Sequence, residues 1–192
     1  MKKLIGLFVG LALLFGVATS TQCNVDKIDD GTVMIYGSVE TGDEVKIRQE
    51  MANTRDYLII LNSKGGAAFV GLSIANHVAR LQQHNAKITT MVSGAAMSAA
   101  AVIWASGDVR YVHKNDIVMF HSAHMVDITG KKIPKENLTE TDKFCIDQIN
   151  QAMIDILAKS IGAGKAKKFI ENETWLTGEQ AFELGIATHL IE

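Results

Sequence analysis

Of the chain's 192 residues, 47% are hydrophobic and 21% charged, a balance that excludes a disordered or fibrous polymer and suits one domain with a real core. Lys and Arg number 19 against 21 Asp and Glu, a net charge of −2, so no basic excess points to nucleic acid and no acidic tail to a disordered partner segment. With 16 glycines and 1 proline, many close backbone approaches are open to the chain and little of it resembles a linker.

Met1-Lys2-Lys3 is a short basic start, followed by an uncharged apolar run from Leu4 to Ala18. The run is shorter than the roughly 20 residues a membrane-spanning helix needs, and small residues follow at Ala18, Thr19 and Ser20. This is the pattern of a secretory signal peptide, or of an uncleaved anchor. The expectation is therefore that 1–23 is a signal peptide or membrane anchor. The domain at 24–192 would then be exported or anchored in the cell envelope, with the cytoplasm as the alternative. Cys23 stands where a lipoprotein carries its lipidated cysteine, although Gln22 replaces the small residue that such sites place before it. A Cys23–Cys145 disulfide would suit an exported chain, and no Cys/His cluster has metal-site spacing.

After residue 23, strands alternate with helices. Thr32–Tyr36 reads as a strand and Asp43–Met51 as a short polar helix. Tyr57–Leu61 is a continuous apolar run, predicting a strand buried on both faces. Asn62 to Gly66 ends it. Val70, Ile74, Val78 and Leu81 recur at helical spacing and predict a helix over 68–82. Lys87–Val92 is a strand ended by Ser93-Gly94, and a helix of small residues is predicted over 97–105. Val109–Val112 and Ile117–Phe120 are short strands, and 122–136 is a polar loop or arm. The longest helix covers 139–160, with an apolar stripe of Cys145, Ile149, Met153 and Ile156. Thr177 and Gln180 form a capping box for a helix through Leu184, stopped by Gly185 and followed by a strand over 186–191. Repeated strand–helix–strand units predict an α/β fold with a mainly parallel sheet.

Sites in such sheets collect at the carboxyl ends of strands. Three of these ends carry chemistry-bearing residues. Gly65-Gly66 can present unobstructed backbone N–H groups to a developing oxyanion, or be only a turn. Ser98, where a strand passes into a helix, is a nucleophile candidate or simply an N-cap. It does not lie in a G-x-S-x-G elbow. His121, just past the Ile117–Phe120 strand, stands where a general base is useful, with His124 as its competitor. His77, His84 and His113 are expected to be solvated, and His189 has no assigned role.

Four segments in order carry a resemblance. Asn62-Ser63-Lys64-Gly65-Gly66 resembles the Asn-Ser-Pro-Gly-Gly turn of the Clp protease proteolytic subunits, which have a crotonase-like fold. Gly94 to Ala100 resembles their Gly-Gln-Ala-Ala-Ser-Met-Ala segment, and Met119-Phe120-His121-Ser122 their Met-Ile-His-Gln. Trp175 to Ala181, with Glu183 to Ile186, resembles their closing Phe-Leu-Ser-Ala-Glu-Glu-Ala and Glu-Tyr-Gly-Leu.

The resemblance implies repeated ββα units with a long helical handle at 139–160. It implies a serine endopeptidase working through an acyl-enzyme, with Ser98 as nucleophile and His121 as base. The N–H groups of Gly66 and Ala99 would form the oxyanion hole. The family's triad Asp corresponds here to Glu173, so a carboxylate remains; Asn172 or a water is the alternative partner for His121. No metal or organic cofactor is implied. The implied partners are peptide or unfolded-protein substrates and a homo-oligomeric ring, with an ATP-driven unfoldase left open. The departures are Lys64 for the family's Pro, Glu173, and the signal-like N-terminus. Competing readings are a membrane-associated signal-peptide-peptidase-like protease with a lysine base, a crotonase-like acyl-CoA enzyme, and a catalytically inactive assembly or binding protein.

Overall fold

A computed structural model describes residues 25–192 apart from 54 and 128; Cys23 and the signal-like segment lie outside the described residues. Helices and strands alternate as the periodicity predicts. The elements are β1 (Val25–Asp29), β2 (Thr32–Val39), α1 (Asp43–Glu50), β3 (Tyr57–Gly66), α2 (Ala68–Gln83), β4 (Ile88–Met97) and α3 (Ala99–Ala105). They continue as β5 (Val109–His113), β6 (Ile117–Phe120), a 3-10 turn (Lys135–Asn137), α4 (Glu140–Ile161), α5 (Ala163–Glu171), β7 (Thr174–Thr177), α6 (Gly178–Glu183) and β8 (His189–Ile191).

The strands form one sheet in the order β1-β2-β3-β4-β5-β8, with β6 and β7 branching from β4. The pairs β2–β3, β3–β4, β4–β5, β4–β6 and β5–β8 are parallel; β1–β2 and β6–β7 are antiparallel. The sheet is thus mainly parallel, as expected of a Clp-protease-like crotonase-type α/β fold. β4 serves two neighbours in succession. Its first half pairs with β5 at Thr89–Met91, and its second half with β6 at Ala95–Met97. This division lets the β6–β7 pair leave the main sheet and form a rim beside the end of β4.

Val70, Ile74, Val78 and Leu81 of α2 are all buried, each contributing about 1.5–3 kcal/mol of apolar burial. All of α3 is buried, and Trp104 near its C-terminal end donates its indole N–H to Tyr111 O at 3.1 Å. The small residues of α3 are a packing requirement: a Cβ on Gly71 of α2 would lie 2.9 Å from Ala99 Cβ. On α4, Ile149 and Met153 of the predicted stripe are buried, joined by Ile154 and Leu157; Cys145 is half-buried.

Several local expectations are corrected. β3 and β4 do not stop at Leu61 and Val92 but run on through their glycines, because neighbouring strands pair with those extensions, Val39 with Gly66 and Val118 with Ala96. Leu58 and Ile60 are only half-buried, so the Tyr57–Leu61 run is covered fully on one face. His77 is 3% exposed rather than solvated, its Nε2 facing Met51 O and its Nδ1 facing Arg80. α5 and β7 were not expected: α5 is short and lysine-rich, and β7 is too short to show a period and exists through its pairing with β6.

Candidate active site

Parallel strands β3 and β4 end side by side. The contact there is tight enough to require glycine. A Cβ on Gly65, whose φ is +86°, would lie 2.4 Å from Met97 O, 2.7 Å from Ser98 Cβ and 3.0 Å from Ala99 N. A Cβ on Gly66 would meet Val39 O at 2.2 Å. Gly65 therefore lies directly against the turn that carries Ser98, and Gly66 against Val39 of β2.

Ser98 itself has φ 53° and ψ −123°, a conformation that costs a non-glycine residue on the order of 1–3 kcal/mol. Two backbone hydrogen bonds help hold it there: Ser98 N–H donates to Met119 O of β6 at 2.8 Å, and Ser98 O accepts from Val102 N–H at 3.2 Å. The residue occupies the N-cap position of α3, yet its hydroxyl makes no capping hydrogen bond. Instead Ser98 Oγ lies 2.7 Å from His121 Nε2, within the reach needed for proton transfer between a nucleophile and its base. β6 thus performs two tasks. It receives the Ser98 N–H through Met119, and it delivers His121 from its carboxyl end.

Burial holds His121 below the ordinary imidazole pKa, and the neighbouring His124 pushes it further down. Glu173 acts in the opposite direction, and Lys132 adds to the depression. A histidine tuned this way is neutral, and so able to accept a proton, at neutral pH. The His124 ring stands 5.4 Å from that of His121, centroid to centroid, with the planes tilted by 57°. Of the two competing histidines, His121 is the one in contact with Ser98.

Glu173 is close enough to act electrostatically on His121, but no hydrogen bond joins them. Its Oε1 accepts from the Trp175 indole N–H at 3.3 Å, and the residue is exposed with φ +49°. Of the residues singled out in the sequence, the structure therefore brings Ser98, His121, Gly66 and Ala99 to the wall of one cavity of about 470 Å³, and Glu173 does not line it. Leu72, Val102 and Met153 give that cavity apolar walls.

One supporting residue was missed. Asp116, 5% exposed, accepts Gly94 N–H and His113 N–H, both at 2.7 Å, and its Oδ2 lies 3.2 Å from His113 Nδ1. It ties the approach to the Ser98 segment to the start of β6. Its only local signal was an acidic residue immediately before an apolar strand.

The family model for Clp protease matches residues 27–192. This chain belongs to the Clp protease family. It is a serine peptidase of the Clp proteolytic-subunit type. It is 22% identical over 179 residues to ATP-dependent Clp protease proteolytic subunit 1 of Protochlamydia amoebophila, covering 85% of this chain and 82% of that one. It is 24% identical over 178 residues to the ATP-dependent Clp protease proteolytic subunit of Lactococcus lactis subsp. cremoris, covering 86% and 85%. Among solved structures, an asparagine-to-aspartate mutant of ClpP1 from Listeria monocytogenes superposes with a TM-score of 0.67 at 19% identity, covering 85% of this chain and 92% of that one.

These relatives correct the expected location. They are subunits of ATP-dependent proteases, and that dependence speaks against export or anchoring in the cell envelope. No helix among the described residues is long and apolar enough to cross a membrane. The signal-like run at 4–18 lies outside the described residues.

Proposed function

We propose that the chain, through its domain at 24–192, is an endopeptidase that cuts peptide bonds by a Ser98–His121 acyl-enzyme mechanism. The observation that carries this reading is the 2.7 Å contact between Ser98 Oγ and His121 Nε2, made by a serine in a strained conformation over Gly65. His121 takes the hydroxyl proton on Nε2 as Oγ attacks the carbonyl carbon. It then returns that proton to the leaving amine, and water repeats the cycle to release the acyl group.

The oxyanion is received by the N–H groups of Gly66 and Ala99. Ala67 N–H is committed to Val39 O at 2.8 Å. Strand alternation turns the preceding N–H, that of Gly66, to the opposite edge, toward Ser98. Ala99 opens α3, where the first N–H groups have no partner within the helix. Glu173 contributes as a nearby negative charge favouring the imidazolium, rather than as a hydrogen-bonded third member. The substrates are peptides or unfolded proteins, and the working form is a homo-oligomeric ring, a reading supported by family membership.

A fluorophosphonate probe tests the chemistry. The wild type is labelled, Ser98→Ala is not, and His121→Ala is labelled more slowly by at least about a hundredfold, the scale of a lost general base. Equal labelling of wild type and Ser98→Ala refutes the mechanism. A sedimentation experiment showing only monomer refutes the ring.

A further inference from the structure

The segment 122–125 separates two cavities. On one side lies the catalytic cleft. On the other is a cavity of about 640 Å³, walled by the arm at 132–138 and by α4 and α5. Ala123 and His124 line both, so the two adjoin there. The divider is firmly held. Ala123 N–H donates to Asn150 Oδ1 at 2.8 Å, Ser122 Oγ donates to Ile170 O at 3.1 Å, and Met125 O accepts Ile133 N–H at 2.9 Å.

The second cavity carries more positive than negative charge: Lys132, Lys135, Lys143 and Lys167 against Asp147 and Glu171. Lys143 is paired with Glu140 at 2.8 Å and Lys167 with Glu171 at 3.8 Å. Among the described residues no ion pair engages Lys132 or Lys135, so two cations at the arm side of the cavity are uncompensated. The catalytic cleft, by contrast, has apolar walls and no lysine in its lining. A volume of this size lies within the range of clefts that hold ligands, about 300–1,000 Å³.

We propose that the second cavity is an extended substrate subsite, in which Lys132 and Lys135 take acidic side chains of the peptide being cut, a few residues from the scissile bond. This deepens the peptidase reading and rests on it. An extended peptide advances about 3.3 Å per residue. A chain leaving Ser98 across Ala123 and His124 therefore delivers its more distant side chains into the lysine-lined cavity. Because both lysines are exposed, the attraction weakens as salt shortens the Debye length.

The test uses two fluorogenic peptides identical at the residues flanking the scissile bond. They differ only in carrying Asp and Glu, or Asn and Gln, at the positions beyond, placed on each side of the bond in turn. Rates are read at pH 8, where His121 is neutral. The acidic peptide is expected to have a kcat/KM about five- to tenfold higher at low salt, mainly through KM, the scale of two exposed charge pairs. Raising the salt should shrink the ratio. Lys132→Ala combined with Lys135→Ala should bring it to about one. Equal rates for the two peptides in wild type overturn the proposal, as does a double variant that keeps the preference. If the double variant loses the preference but also changes its sedimentation coefficient, the cavity is a contact between copies and the proposal is overturned. If Ser98 is not labelled by fluorophosphonate, the catalytic reading has failed. Fluorescence anisotropy of the acidic peptide on Ser98→Ala protein then judges the cavity separately: salt-sensitive binding lost with the two lysines supports it, and no binding refutes it.

Discussion

Replacing Gly65 by alanine puts the construction of the site under direct test. The new Cβ would lie 2.4 Å from Met97 O, whereas ordinary contact begins at 3.4 Å. Something must therefore move by about 1 Å, and the atoms in the way are backbone of the Ser98 turn and Ser98 Cβ. The positive φ adds about 1–2 kcal/mol of strain for any residue with a Cβ. A shift of about 1 Å between reacting groups costs on the order of a hundredfold in rate. The expected result is a kcat/KM lowered at least about a hundredfold, with fluorophosphonate labelling slowed in parallel. Gly185→Ala is the control. Gly185 has a similar φ of +77° but nothing within 4 Å of its Cβ position. It should lose a comparable 1–2 kcal/mol in urea unfolding and keep its activity. If Gly65→Ala is as active as Gly185→Ala, the tight contact between β3 and the Ser98 turn does not govern the chemistry.

Three further outcomes are expected. Asp116→Ala removes the acceptor of two short backbone hydrogen bonds at a buried position, so stability in urea unfolding should fall by roughly 3 kcal/mol, and an unchanged midpoint contradicts the role. Catalysis needs His121 neutral, and its folded-state pKa is depressed by burial first and by His124 next. kcat/KM should therefore be lost as pH falls through a midpoint below 6.5; a midpoint above 6.5 contradicts the environment described. Glu173→Gln should slow turnover less than about tenfold, because its carboxylate does not hydrogen-bond His121, whereas neutralising a hydrogen-bonded triad carboxylate costs about 10⁴-fold. A loss of that larger size would show that Glu173 closes onto His121 during the reaction.

Much of this was legible in the residues themselves. The α2 stripe from Val70 to Leu81, the limits of β6 and the Thr177–Gln180 capping box each depend on neighbours within one turn or one strand, and the structure reproduces them. The capping box is made in both directions, Gln180 N–H to Thr177 Oγ1 and Thr177 N–H to Gln180 Oε1. Four ordered motifs also pointed to the family and to Ser98 and His121 as residues worth pairing. The lengths of β3 and β4, the existence of β7 and the burial of His77 were not legible, because each is set by a partner distant in sequence. So were the two facts that matter most for the chemistry. Ser98 takes a positive φ because β6 and Gly65 pack against its turn from separate strands. Glu173 follows a residue pattern that resembles a triad position, yet its carboxylate turns to Trp175. Residue type and order select the groups that can react. Where a side chain points, and what it therefore does to a neighbour's proton, is decided only when separate strands are brought to one edge.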